Sequence, residues 1–96
     1  MAYSVELLRS ADKFLAKLAK QQPSDAEEIE EVIQDLAETP KPSGCKQLRG
    51  YLGIFRIRAG NYRICYRVDD GQLLILVIVI NKRDEVYKEL RRHLGR

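Results

Sequence analysis

Ninety-six residues, 45% hydrophobic and 32% charged, suit one domain spanning 1–96, near the lower end of what folds on an apolar core alone, and exclude a disordered or fibrous chain. The longest apolar run, the eight residues Leu73–Ile80, cannot span a bilayer, and Met1–Leu8 lacks a signal pattern, so the expectation is a soluble cytoplasmic protein with no membrane partner. The formal charge of +3 is divided: positions 25–38 hold seven acidic side chains and no basic one, while positions 41–96 hold thirteen Lys or Arg against five Asp or Glu.

That basic half is the electrostatic footprint of a chain that meets phosphates, although solubility alone can also use it. Cys45 and Cys65 fit reduced thiols better than a disulfide framework. The only histidine is His93, and no Cys/His cluster accompanies it, so neither a metal nor another cofactor is expected.

In chain order, Tyr3–Leu8 reads as a short strand. Between Ser10 and Gln21, Ala11, Phe14, Leu15 and Leu18 recur at helical spacing. Pro23 ends that helix. Ser24 then opens a second one with Glu27 completing a capping box, and Ile29, Val32, Ile33 and Leu36 form its buried face. Thr39–Gly44 is irregular. Ile54–Arg67 reads as a hairpin, Val68–Gln72 as a turn, and Leu73–Ile80 as a central strand covered on both faces. Asp84–Leu94 closes the chain as a helix with Gly95 as its cap. The expected class is α+β: a mainly antiparallel four-stranded sheet, two N-terminal helices packed on one face, and a short C-terminal helix.

The hairpin carries the chemistry. Gly60-Asn61 suits a two-residue loop of the II′ type, which sets Ala59 opposite Tyr62, Arg58 opposite Arg63, Ile57 opposite Ile64, Arg56 opposite Cys65 and Phe55 opposite Tyr66. Alternation then gives one apolar face for the helices and an opposite face bearing Arg56, Arg58, Arg63, Cys65 and Arg67. Like charges opposite each other destabilise a sheet, and this face of the hairpin has no acidic residue to offset them. Rules broken locally without structural gain mark functional surfaces, although a solvated arginine face is also common. Guanidinium groups match phosphate oxygens and can stabilise the added charge of a phosphoryl transition state without a metal.

Proton transfer needs another group. Tyr87, four residues after Arg83, is the candidate: nearby guanidinium groups favour its phenolate, and its ring can stack on a base. Equally, Tyr87 can edge the stripe of Val86, Leu90 and Leu94. Whether Arg83 joins the arginine face depends on the turn. A two-residue Asp70-Gly71 turn sends it to the helix-covered side. A three-residue Asp69–Gly71 loop, a bulge, or a strand ending before Arg83 brings it round.

Leu48-Arg49-Gly50, Phe55–Arg58, Gly60–Tyr66 and Asn81–Tyr87 together resemble the RelE/ParE toxin superfamily, RelE-type toxins most closely, over nearly the whole chain. The resemblance implies the toxin of a type II toxin–antitoxin system: a ribosome-dependent, metal-independent endoribonuclease that cuts mRNA in the A site, against 16S rRNA, by 2′-hydroxyl attack. It implies catalytic roles for Arg58, Arg63, Arg83 and Tyr87, with Arg56 on the RNA phosphate; Arg67, Lys82 and Lys46 are expected to add RNA contacts. It also implies a cognate antitoxin that covers the basic face or displaces the C-terminal helix. Some members have lysines where Arg56 and Arg58 stand, and arginine cannot exchange a proton near neutrality, so these two suit phosphate positioning. Lys82 stands where many members have His, which leaves the general acid open. Two alternatives stay beside this one: a ParE-type protein that inhibits DNA gyrase, and a RelE-fold RNA- or partner-binding protein without activity.

Overall fold

The structure is a computed structural model that describes residues 2–95; of the span 1–96 expected as one domain, Met1 and Arg96 lie outside it. The elements run β1 (Ser4–Leu7), α1 (Arg9–Gln21), α2 (Pro23–Glu38), β2 (Lys46–Gln47), β3 (Ile54–Ala59), β4 (Tyr62–Asp69), β5 (Leu74–Lys82) and α3 (Glu85–Leu94). The sheet order is β1-β5-β4-β3-β2, with β1 parallel to β5 and the other pairs antiparallel.

The sheet therefore has five strands, one more than expected. The added strand, β2, is two exposed residues paired with Phe55 and Arg56. A segment that short and that polar has no alternation to read. The second helix also starts differently. Pro23 occupies its first turn, Gln22 is the N-cap, and no side-chain cap bond forms, so Ser24 lies inside the helix and the Ser24–Glu27 capping box is not made. Proline at the first position suits a helix start because its missing N–H would have had no intrahelical partner.

The β3–β4 register is the expected one, from Ala59 opposite Tyr62 to Phe55 opposite Tyr66. Gly60 takes φ +61, the positive value that a tight hairpin loop needs. The β4–β5 turn is longer than either expected option: Asp69 pairs with Leu74, leaving the four residues Asp70–Leu73 as the loop. Gln72 N–H donates to Asp69 Oδ1 at 3.0 Å, and Leu73 takes φ +52. A bulge follows, since Cys65 pairs with Val79 but Tyr66 with Val77. Beyond it, Arg63 faces Asn81.

Two apolar layers flank the sheet. On one side α1 and α2 bury Ala11, Leu18, Ala26, Ile29, Ile33 and Leu36 against Ala59, Tyr62, Ile64 and Tyr66. Phe14 packs edge-on against Tyr62 at 6.0 Å. On the other side α3 lays Val86 and Leu90 over Ile54, Cys65, Ile78 and Val79. β5 is thus covered on both faces, which is why its sequence is apolar at both parities. Gly95 caps α3 at φ +70.

Candidate nucleic-acid interface

Pairing and alternation order the face opposite α1 and α2 into rows. One row runs Lys46, Arg56, Cys65, Val79 across β2 to β5; the next runs Arg58, Arg63, Asn81; a third runs Ile54, Arg67, Leu76. Neighbours within a row have Cβ atoms about 5 Å apart, and successive rows lie about 7 Å apart along the strands. Arg56, Arg58 and Arg63 therefore sit within one phosphate-sized patch, with Lys46 at its edge. Arg67 lies two rows from Arg63, across the apolar ground that α3 covers.

The face is less open than the hairpin alone suggests. Arg58 and Arg67 are exposed, whereas Arg56 and Arg63 are half-buried and Cys65 is fully enclosed. Burial pushes the Cys65 thiol up to about 12, and the neighbouring Arg56 guanidinium only partly opposes it. Cys65 is a packing residue, not a nucleophile. Arg56 Nε is buried without a hydrogen-bond partner among the described residues, so packing orients this side chain and leaves only its outer nitrogens for a ligand.

The described ion pairs are Lys41–Asp70 and Lys88–Glu85, and neither involves an arginine. Tyr87 is half-buried and packs at the rim of the Ile54–Cys65–Val79 cluster, on the arginine side of the sheet. Both readings of Tyr87 thus meet in one residue: it edges the apolar stripe and stands on the basic face.

Arg83 and Lys82 lie elsewhere. Lys82 ends β5 opposite Tyr62, with Nζ 6.0 Å from the Tyr62 ring centroid, on the side covered by α1 and α2. Arg83 follows the strand and lines a cleft of about 340 Å³ with Gln22, Asp25, Asn61, Tyr62 and Lys82. This cleft opens at the hairpin tip, the same end of the sheet as the Arg58–Arg63 row. Arg83 takes φ +26, a left-handed backbone that costs a non-glycine residue about 1–3 kcal/mol and that clusters at functional sites.

Two contacts carry no sequence signal. Asn81 Nδ2 donates to Glu89 Oε1 at 2.9 Å, and Ser10 Oγ bonds His93 Nε2 at 2.9 Å. Both tie α3 to the body of the fold. The bulge that brings Asn81 onto the arginine face cannot be seen in a strand without alternation. Among the described residues no group of three His, Cys, Asp or Glu could hold a metal ion, and no helix is long and apolar enough to cross a membrane.

The chain and its fold have counterparts among known proteins. Toxin RelG of Mycobacterium tuberculosis is 30% identical over 88 residues, covering 92% of this chain and 99% of that protein. A free-state mutant of Escherichia coli toxin RelE superimposes with a TM-score of 0.78 at 28% identity, covering 98% of this chain and 99% of the other. The toxin–antitoxin complex RelBE2 of M. tuberculosis contains a chain that matches with a TM-score of 0.72 at 30% identity, covering 86% of this chain and all of that one. The family model described as the ParE toxin of the type II toxin–antitoxin system parDE matches residues 5–87. The hairpin and the tail motif up to Tyr87 fall within that match, and the chain belongs to the ParE toxin family of type II toxin–antitoxin systems, with RelE-named toxins among its relatives.

Proposed function

We propose that this toxin is a translation-coupled endoribonuclease that cuts mRNA in the ribosomal A site. The observation that carries the reading is the arginine pair Arg58 and Arg63, opposite each other on one sheet face, with no carboxylate partner among the described residues and with Tyr87 on the same side. Unpaired guanidinium groups so close together are stabilised once a phosphate sits between them.

In this reading Arg58 and Arg63 grip the scissile phosphate and Arg56 supports them from the next row. The 2′-hydroxyl oxygen attacks phosphorus, the P–O5′ bond breaks, and a 2′,3′-cyclic phosphate forms. The proton leaves the 2′-hydroxyl with help from Tyr87 and one proton ends on the departing 5′-oxygen, so the reaction is a transesterification with no net proton change. The arginines favour the extra charge at phosphorus over the ground-state diester. Arg83 approaches from the sheet end and assists the leaving group, while Arg67 and Lys46 hold flanking RNA and Lys82, across the sheet, meets it only round the hairpin-tip end. A cognate antitoxin is the second partner. The M. tuberculosis relative is a toxin–antitoxin complex by name, and unpaired arginines suit an acidic segment of such a partner.

The deciding experiment is primer extension on mRNA from ribosomes programmed with purified protein, wild type against Arg63→Ala. Cleavage within the A-site codon by wild type alone is expected. The family-model match also favours a second reading, a gyrase-binding toxin. Intact mRNA together with gyrase-dependent DNA cleavage complexes would select it.

A further inference from the structure

We propose that Asn81 is a positioning residue that locks α3 to the end of β5 and so fixes where Tyr87 stands relative to Arg58 and Arg63; the catalytic part of this rests on the nuclease reading above. Asn81 is the cross-strand neighbour of Arg63. Its Oδ1 accepts the backbone N–H of Lys82 at 2.8 Å, and its Nδ2 donates to Glu89 Oε1 at 2.9 Å. A backbone N–H can only donate, and an ionised carboxylate can only accept, so the amide orientation is fixed from both sides.

One side chain thus joins three parts of the site. It adjoins the arginine row through Arg63, the left-handed corner at Arg83 through the Lys82 amide, and α3 through Glu89. The directional bond matters because the rest of the α3 seat is not directional. Val86 and Leu90 are fully buried in the sheet face, yet apolar burial tolerates rotation of a helix about its own axis. Glu89 and His93, one turn apart, are held by Asn81 and Ser10, while Tyr87 packs against the sheet cluster. A tyrosine hydroxyl stands roughly 6–8 Å from its helix axis, so a rotation of about 10° moves it by about 1 Å. A misplacement of that size costs on the order of a hundredfold in rate when the group must meet a reacting atom.

The test compares Asn81→Ala, Glu89→Ala and Glu89→Gln in ribosome-programmed mRNA cleavage, with amide hydrogen exchange on the same proteins. Asn81→Ala is expected to lower kcat 10- to 100-fold with KM within about twofold. Glu89→Ala should follow it, and Glu89→Gln should stay within about threefold of wild type because its amide oxygen still accepts. In a Tyr87→Phe background, adding Asn81→Ala should cost no more than a further threefold. Exchange in Glu85–Leu94 should rise about tenfold or more in Asn81→Ala while β3 and β4 stay protected. Overturning results are a KM effect at constant kcat, full additivity with Tyr87→Phe, Glu89→Gln failing like Glu89→Ala, or unchanged α3 exchange. If wild type does not cleave and α3 exchange still rises in Asn81→Ala, the nuclease reading falls and the lock on α3 is supported.

Discussion

At the scale of single residues, the role proposed for Arg58 and Arg63 is set against stability. They face each other across β3 and β4, where a β-branched or opposite-charge partner would contribute about 0.2–1 kcal/mol relative to a neutral pair. Arg58→Thr is therefore expected to raise the unfolding free energy measured in urea by an amount in that range, while lowering mRNA cleavage by on the order of a hundredfold, as loss of a transition-state donor does. A variant that is both less stable and fully active would count against the pair as a phosphate grip. Arg83 shows the same tendency in its backbone, holding φ +26 where glycine would be unstrained.

At the scale of elements, α3 is a lid on the sheet face and the carrier of Tyr87. Leu90 is 1% exposed and packs with Cys65, Ile78 and Val79. Leu90→Ala should cost about 2–5 kcal/mol by thermal denaturation, because the hydrogen-bonded strands beneath cannot collapse into the space left. The legibility of these elements in the sequence follows from how much pattern each one carries. The β3–β4 register was readable because Gly60-Asn61 pins the turn and every second residue changes character. Two exposed residues cannot announce β2. The bulge at Ile78 was invisible because β5 is apolar at both parities, and with it went the facing of Asn81 and of Lys82; Arg83 is parted from the arginine row by the left-handed turn that follows the strand. Tyr87 could be assigned to a helix but not to a side of the sheet, since only the packing of Val86 and Leu90 settles that.

At the scale of the whole molecule, several buried or bonded acids hold their protons past the ordinary range. Burial takes Cys65 from 9.0 to about 12. Tyr66 rises through burial and its neighbour Cys45, Tyr62 through burial and Asp25, and Tyr3 through its hydrogen bond to Asp70. A group whose pKa is higher in the folded state binds more protons there than in the unfolded chain, so stability is lost as pH rises through that window. The unfolding free energy measured in urea should be flat from neutrality to about pH 8.5 and fall above pH 9, by up to about 1.4 kcal/mol per pH unit for a well-buried group such as Cys65. A value that stays level to pH 11 would contradict this.

The acidic helix α2 lies across the sheet from the arginines, with Glu27, Glu28, Glu30, Glu31, Asp35 and Glu38 all turned to solvent. Such a body experiences a torque near a polyanion. Within roughly one Debye length, about 8 Å at physiological salt, the field of an RNA or ribosomal surface turns the carboxylates away and the guanidinium groups forward before any contact forms. Collisions that begin with α2 leading are short-lived, and the orientational search that slows most macromolecular encounters is partly completed in flight. In the proposed nuclease, the charge divide that first shows as an uneven count along the chain therefore acts on the rate of arrival, separately from what the arginines would do once a phosphate is held.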